Sequence, residues 1–413
     1  MKADVDRLMA ARGLEALVVV CGKEYSPERD YLAGRVHITG GLLLKRRDAE
    51  PMLVVGPMEI EEAAKSGLPT YTYYDLGFAD LLKAAQNDPE QAQMGLWRNS
   101  LEKIGVTAGK IGIYGVGALH EILAQTQALA AHLPQYEFVG ERGKTLFDEA
   151  YITKDADEIA RLQAVAERTN AVWQATWDFV SGHRADGDIV VAADGTPLTI
   201  GAVKRFVRRA LLDHELEDTQ MIFAQGRDAG FPHSRGEADA PLKLGEAIVF
   251  DLFPRELGGG YFHDSTRTWC LGYAPPEVQT AYDQVMEAFD RAVEMCRVGT
   301  AASALQIAVL DYFEALGHPT QRSEPGTMAG YVHSLGHGVG LHIHEQPGLR
   351  HTSTDTLQIG NVISIEPGLY YPEQGYGVRV EDLFYVADAG TLTPLTNFRK
   401  DLVLPLANTE RYG

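Results

Sequence analysis

Cysteine is scarce. Cys21, Cys270 and Cys296 are the only three, far apart and without a CxxC pair, which excludes a disulfide framework and a zinc ribbon and fits reduced thiols in a cytoplasmic protein. Long apolar runs are absent too: none approaches the roughly eighteen residues of a membrane span. The N-terminal stretch MKADVDRLMAARG lacks the unbroken apolar core and small-residue cleavage site of a signal peptide, and reads as an amphipathic helix. Positive charge is in deficit, with a formal net charge of −20. Nucleic acid and anionic membranes select basic surfaces, so neither is an expected partner, and a small substrate is.

What the chain does have is enough apolar residue, 45% over 413 positions, for more than one core. Two domains are expected, 1–150 and 151–413. In the first, strand and helix signals alternate: an apolar run at 16–20, a hairpin from 42–44 and 52–55, helices near 58–66, 90–104 and 118–131, and a strand at 110–114. No catalytic constellation occurs there, and His120 and His132 read as surface histidines. The second domain opens on a long helix from Asp155 to Gly182, with Asp155 and Glu158 forming a capping box and Ile159, Leu162, Ala166, Thr169, Trp173, Thr176 and Val180 on one face. Residues 183–200 read as a loop with one short strand, equally suited to solvent and to a subunit contact. The basic run Lys204, Arg205, Arg208 and Arg209 reads as a solvated helix face. Strands follow at 220–224, 247–253 and 261–271, then helices at 276–295 and 302–316, then strands at 362–369 and 377–386.

Chemistry concentrates in that last part. Asp251 closes the apolar run Ala247-Ile248-Val249-Phe250, Asp264 follows Tyr261 and Phe262, Glu366 ends Val362-Ile363-Ser364-Ile365, and Glu381 ends Gly377-Val378-Arg379-Val380. A carboxylate inside a buried strand costs several kcal/mol unless compensated, and a divalent cation compensates best. Each acid alone could cap a turn or pair with Arg267 or Arg379; four together ask for a metal. Between them lies Tyr331-Val332-His333-Ser334-Leu335-Gly336-His337-Gly338-Val339-Gly340-Leu341-His342-Ile343-His344. Its alternate glycines point to a backbone that turns sharply or approaches something closely, where a ligand histidine can be presented.

The order Asp, Asp, GHGxG, IEPG, VRVED resembles the pita-bread metallopeptidases, the family of Xaa-Pro aminopeptidases, prolidases, methionine aminopeptidases and creatinases. Tyr31-Leu32-Ala33-Gly34 and the Lys154-to-Arg161 helix start resemble the creatinase and prolidase branch, which sets the chain apart from methionine aminopeptidases. The resemblance implies an α+β protein, with a creatinase-like α/β domain followed by a pita-bread domain whose curved antiparallel sheet is wrapped by helices. It implies two divalent metal ions: Asp251 on one, Asp264 and Glu381 bridging both, His337 and Glu366 each completing a side. Oxygen-rich ligands favour Mn, with Co, Fe or Zn as alternatives. Glu366 would also take the water's proton and deliver it to the leaving nitrogen. His233 matches a histidine near the scissile bond, His344 one that stabilises the tetrahedral intermediate, and His333 one that lines the substrate pocket. Arg379 matches an arginine that supports the site or meets the substrate carboxylate.

The implied activity is hydrolysis of the bond between an N-terminal residue and proline, as an Xaa-Pro dipeptidase (prolidase) or an Xaa-Pro aminopeptidase, by a homodimer acting on a small peptide with proline second. Arg35, Arg46 or Arg47 could close the far side of the pocket if they reach it. Two other readings share the fold: a metal-free creatinase-like amidinohydrolase and a non-catalytic binding protein. The complete ligand set weighs against both. Two departures stand out. The Asp251 to Asp264 segment is two residues longer than the family's usual spacing, expected to be a longer hairpin turn, and His342 replaces an acidic residue, expected to act near the surface or behind the ligands.

Overall fold

A computed structural model of the chain describes residues 4–387 and 390–407. It separates into two compact units, residues 1–150 and 151–413. The first holds a six-stranded sheet in the order Thr70–Thr72, Met52–Val55, Gly41–Arg46, Ala16–Cys21, Gly109–Gly115, Tyr136–Val139. The expected hairpin pairs antiparallel, Leu42 opposite Val54, while Ala16–Cys21 runs parallel to Gly109–Gly115. Val18, Leu44 and Val54 bury against Met94, Trp97 and Leu101 of the helix Pro89–Lys103, forming this unit's own core. His120 and His132 are exposed on the helix Leu119–His132.

The second unit is built on the helix Ala156–Ser181. Its capping box forms as expected: the Asp155 carboxylate accepts from Glu158 N, and the Glu158 carboxylate accepts from Asp155 N. The helix buries Leu162, Val165, Trp173, Trp177 and Val180, and its two tryptophans pack on strands Ala247–Leu252 and Ser265–Leu271. Trp173 sits 4.4 Å from Phe250 and 5.7 Å from Trp269, ring centre to ring centre, and its Nε1 donates to Ser265 Oγ. Side chains alternate along a strand. With Phe250 committed to the helix, Asp251 must point to the opposite face, where its register partner is Thr266. One face of this pair packs on the helix tryptophans, with the buried Arg267 opposite Phe250, and the other carries Asp251 and Thr266.

Helices Pro276–Met295 and Ala302–Ala315 bury Val285, Phe289, Leu305, Val309 and Phe313 with Leu335, Ile363, Ile365, Leu369, Val378 and Val380. The last strands differ from the two uninterrupted ones the sequence suggests. Each is broken once, giving Val362–Ile365 and Gly368–Tyr371, and Tyr376–Arg379 and Asp382–Val386. Ile365 pairs with Asp382 and Gly368 with Arg379, so one antiparallel register runs through the break and sets Glu366 opposite Glu381. Pro367 has no N–H to give the ladder, and Glu381 leaves it to bridge Thr266 instead. The expectation of four carboxylates embedded in strands is corrected: only Asp251 lies within one, while Asp264 precedes Ser265–Leu271 and the two glutamates occupy the opposed break.

Three smaller differences have local causes. Residues 183–200 contain two short strands, Arg184–Asp186 and Ile189–Val191, paired across a turn with Gly187 at φ 60°. Lys204 is buried, its ammonium donating to Arg235 O, so only Arg205, Arg208 and Arg209 of the basic run face solvent. The long Asp251 to Asp264 segment is more than a turn: Arg255–Glu256 pairs with Leu216–Glu217, and Gly258, Gly259 and Gly260 take positive φ. All three cysteines are buried and free. No helix among the described residues is long and apolar enough to cross a membrane.

Candidate metal centre

The glycines around His337 are required by close approach. A Cβ at Gly336 would lie 2.1 Å from Ser364 O, at Gly338 2.2 Å from Gln346 O, and at Gly340 2.5 Å from the Glu345 carboxylate. No side chain fits these gaps, so strand Gly336–Gly338 nests between Glu345–Leu349 and Val362–Ile365 with His337 projecting from it. His337 Nδ1 lies 3.0 Å from Gly338 O. A carbonyl only accepts, so Nδ1 carries the proton and the Nε2 lone pair faces the acids, the tautomer a metal ligand needs. Nε2 is 3.6 Å from Asp264 Oδ2 and 3.5 Å from Glu366 Oε1. Asp264, His337 and Glu381 each offer a ligand atom within 4.8 Å of the others.

Charge in this cluster is unbalanced. Asp251 Oδ1, Asp264 Oδ1 and Glu381 Oε1 are buried with no hydrogen-bond partner among the described residues. Burial, then Glu381, Asp251 and Glu366, pushes the Asp264 carboxyl well above the carboxylate range. Burial, then Glu381, does the same to Glu366, and burial, then Asp251, lifts Glu381 to about 8. Burial raises Asp251 against the pull of Arg379. The histidines move the other way: burial, then the charge of His344, lowers His337 to about 4. Acids that resist ionising and an imidazole that resists protonation, with unpaired oxygens converging, form a donor set that fits divalent cations.

Arg379 is turned inward. Its Nη2 donates to Asp251 Oδ2 at 2.6 Å, Nη1 to Tyr370 Oη at 3.0 Å and to Pro232 O, and Nε to Thr266 Oγ1. These contacts tie the guanidinium to Asp251, Tyr370, Pro232 and Thr266. His333 Nδ1 donates to Ser334 O, which leaves Nε2 to accept from the Tyr370 hydroxyl at 2.9 Å. Burial, then Arg379, holds His333 at about 3, so it stays neutral. His344 stands edge-on to His337 at 4.4 Å and is exposed, as is His233. The turn Gly226–Gly230 packs on the strand carrying Arg379 so closely that a Cβ at Gly377 would meet Ala229 O at 2.0 Å, and this brings Phe231-Pro232-His233 to the cluster. The charge of His233 is felt by Asp251, His333 and His344. His342 is exposed, its ring 5.7 Å from Tyr151.

Thr266, Thr268 and Tyr370 were not anticipated from the sequence. Thr266 donates to Glu381 Oε2 at 2.9 Å, and Thr268 clasps Arg379 through both its N–H and carbonyl. Period two was the available signal: both threonines lie at even offsets from Asp264, and Tyr370 at an even offset from Glu366.

The sequence model of Metallopeptidase family M24 matches residues 161–388. The Xaa-Pro dipeptidase of Pyrococcus furiosus is 34% identical over 182 residues, 44% of this chain and 48% of that protein. A putative dipeptidase, YkvY, of Bacillus subtilis is 33% identical over 186 residues, 45% of this chain and 47% of that one. The chain thus matches about half the length of these curated relatives. Among solved structures, the prolidase from Pyrococcus furiosus superposes with a TM-score of 0.71 at 22% identity, covering 96% of this chain and 100% of that one. The X-Pro aminopeptidase from Thermotoga maritima gives 0.75 at 18% identity, covering 97% and 99%. These likenesses establish the pita-bread fold. Since the family match runs from the opening helix of the second unit past all five acid and histidine positions, the chain belongs to metallopeptidase family M24.

Proposed function

We propose that the chain is a dinuclear metal-dependent Xaa-Pro peptidase, hydrolysing the bond between an N-terminal residue and a following proline. One observation carries this reading: Asp264 and Glu381, each with a buried carboxylate oxygen that has no hydrogen-bond partner among the described residues, meet the free Nε2 face of His337 within 4.8 Å. Asp251 would hold one ion, Asp264 and Glu381 both, and His337 and Glu366 would complete the two sides, with Mn the ion best suited to so many oxygens and Co, Fe or Zn as alternatives. Two divalent cations held there would supply an acidified water and a polarised scissile carbonyl. The protein's own groups do the rest. Glu366, tied by its N–H to Leu335 O, takes the attacking water's proton and passes it to the proline nitrogen. His344 donates to the developing oxyanion, His233 borders the scissile bond, and neutral His333 lines the pocket. Arg379 fixes Asp251. The names of the relatives, Xaa-Pro dipeptidase among them, support the substrate class. The reading includes a homodimer, and a cytoplasmic setting that rests on the free thiols.

The test is product analysis after loading metal-stripped protein with Mn²⁺ and offering an Xaa-Pro dipeptide and an Xaa-Pro-Yaa tripeptide side by side. Cleavage of the dipeptide alone makes it a prolidase whose pocket closes on the proline carboxylate. Cleavage of the tripeptide makes it an aminopeptidase with an open far side. Failure to cut either overturns the assignment.

A further inference from the structure

The turn between His337 and His344 is closed by a buried ion pair that the chemistry above does not use. Lys154 Nζ lies 2.5 Å from Glu345 Oε2 and 2.6 Å from Tyr151 O, and the two charged side chains are 1% and 4% exposed. Lys154 is itself anchored, its N–H donating to Gly360 O at 2.8 Å just before the capped start of helix Ala156–Ser181. The other Glu345 oxygen accepts from His342 N at 3.0 Å, and Gly340 N donates to His342 O. The carboxylate fills the space over Gly340 that a Cβ would need, and Gly340 O accepts from Phe262 N, two residues before Asp264. Glu345 is also the register partner of Gly338. One carboxylate therefore touches the turn at Gly340 and His342, immediately beside His344.

A buried pair of this kind contributes little net stability compared with an apolar pair of the same volume. What it supplies is a fixed geometry, because neither charge can move without leaving the other unpaired. We propose that Lys154 and Glu345 are positioning residues that hold the 338–345 turn so that His344 stands edge-on to His337. This rests on the proposed peptidase reading for its kinetic consequence, but not for its structural one.

The test is the double substitution Lys154→Met with Glu345→Leu, which removes both charges together and keeps the site filled. Its folding midpoint and its uptake of Mn²⁺ by calorimetry are expected to stay near wild type. Its kcat on the Xaa-Pro peptide that the wild type cleaves is expected to fall about 10- to 100-fold with little change in KM, the scale of loss seen when groups behind a metal site are removed. Contact between the His337 and His344 rings, read by cross-relaxation in protein carrying labelled histidine, should be present in the wild type and lost in the variant. Glu345→Gln, which keeps an acceptor for His342 N, should show a smaller loss in the same direction, and it carries the test if the double variant does not fold. Wild-type kcat together with an intact ring contact in these variants overturns the proposal. A wild-type protein that cleaves no Xaa-Pro peptide overturns the peptidase reading, and the ring contact then decides the positioning role by itself.

Discussion

Replacing His337 with alanine is expected to lower turnover of an Xaa-Pro peptide by roughly 10³-fold or more, about 4 kcal/mol of lost transition-state stabilisation. His337 is the single nitrogen donor among Asp251, Asp264, Glu366 and Glu381, and its Nε2 lies within 3.6 Å of two of them. Without it those acids face one another with one fewer group to share a cation, so metal content measured on the purified variant should fall as well. The fold should survive, because His337 projects away from the Leu335, Ile363 and Val378 core and its side chain keeps some exposure. Glu366→Ala is expected to be as severe, since it removes both a ligand and the proton carrier. Steady-state kinetics with metal analysis on the same samples checks both variants, and a His337→Ala protein with wild-type kcat would sink the assignment.

The second large effect is on stability. Metal-free protein is expected to become less stable as pH rises from about 6.5 to about 8, and metal-loaded protein is not. In the folded state Glu381 keeps its proton up to about 8, whereas in the unfolded chain it ionises near 4.3. Over that window the folded state binds more protons, so stability present at low pH is lost as pH climbs through the folded value. His337, His333 and His263, lowered to about 4, about 3 and about 3, act in the opposite sense, most strongly below about 6.5, where half or more of the unfolded imidazoles are protonated, and fading by about 7.5. Above about 7.5 the histidines are neutral in both states, and Glu381, with Asp264 and Glu366 raised in the same sense, dominates the slope. One proton across this window is worth about 2 kcal/mol, a fall of about 4 °C in the unfolding midpoint. Cations favour the ionised acids, so Mn²⁺ should flatten the dependence and raise the midpoint. Calorimetric scans at three pH values with and without Mn²⁺ measure this; a flat metal-free profile would show that the acids are not held together as described.

Much of this arrangement was legible in the sequence because the signals were local. The capping box at Asp155 and the three- and four-residue spacing from Leu162 to Val180 specify a helix with no knowledge of its neighbours. Asp251 stood out as a charge ending an apolar run, and the alternate glycines at 336, 338 and 340 announced a close approach that turns out to involve Ser364, Gln346 and Glu345. What was not legible depends on pairing. The breaks at Glu366 and Glu381 arise because two distant stretches lie in one register and their acids meet across it, a fact that neither stretch contains alone. Lys204 looked like one more solvated base because nothing nearby in the chain reveals that Arg235 O will cover it. The inward aim of Arg379 likewise follows from Tyr370, Thr266 and Asp251 converging from three strands.

On the proposed reading, Asp251, Asp264, Glu366, Glu381 and His337 exist to hold catalytic metal. The most direct measurement is the number of Mn²⁺ ions bound per chain by stripped wild-type protein, followed on the same sample by its rate on an Xaa-Pro peptide. Two ions per chain are expected, with activity absent after stripping and restored as they are taken up. Full activity in the stripped protein, or no uptake of any divalent ion, would contradict it.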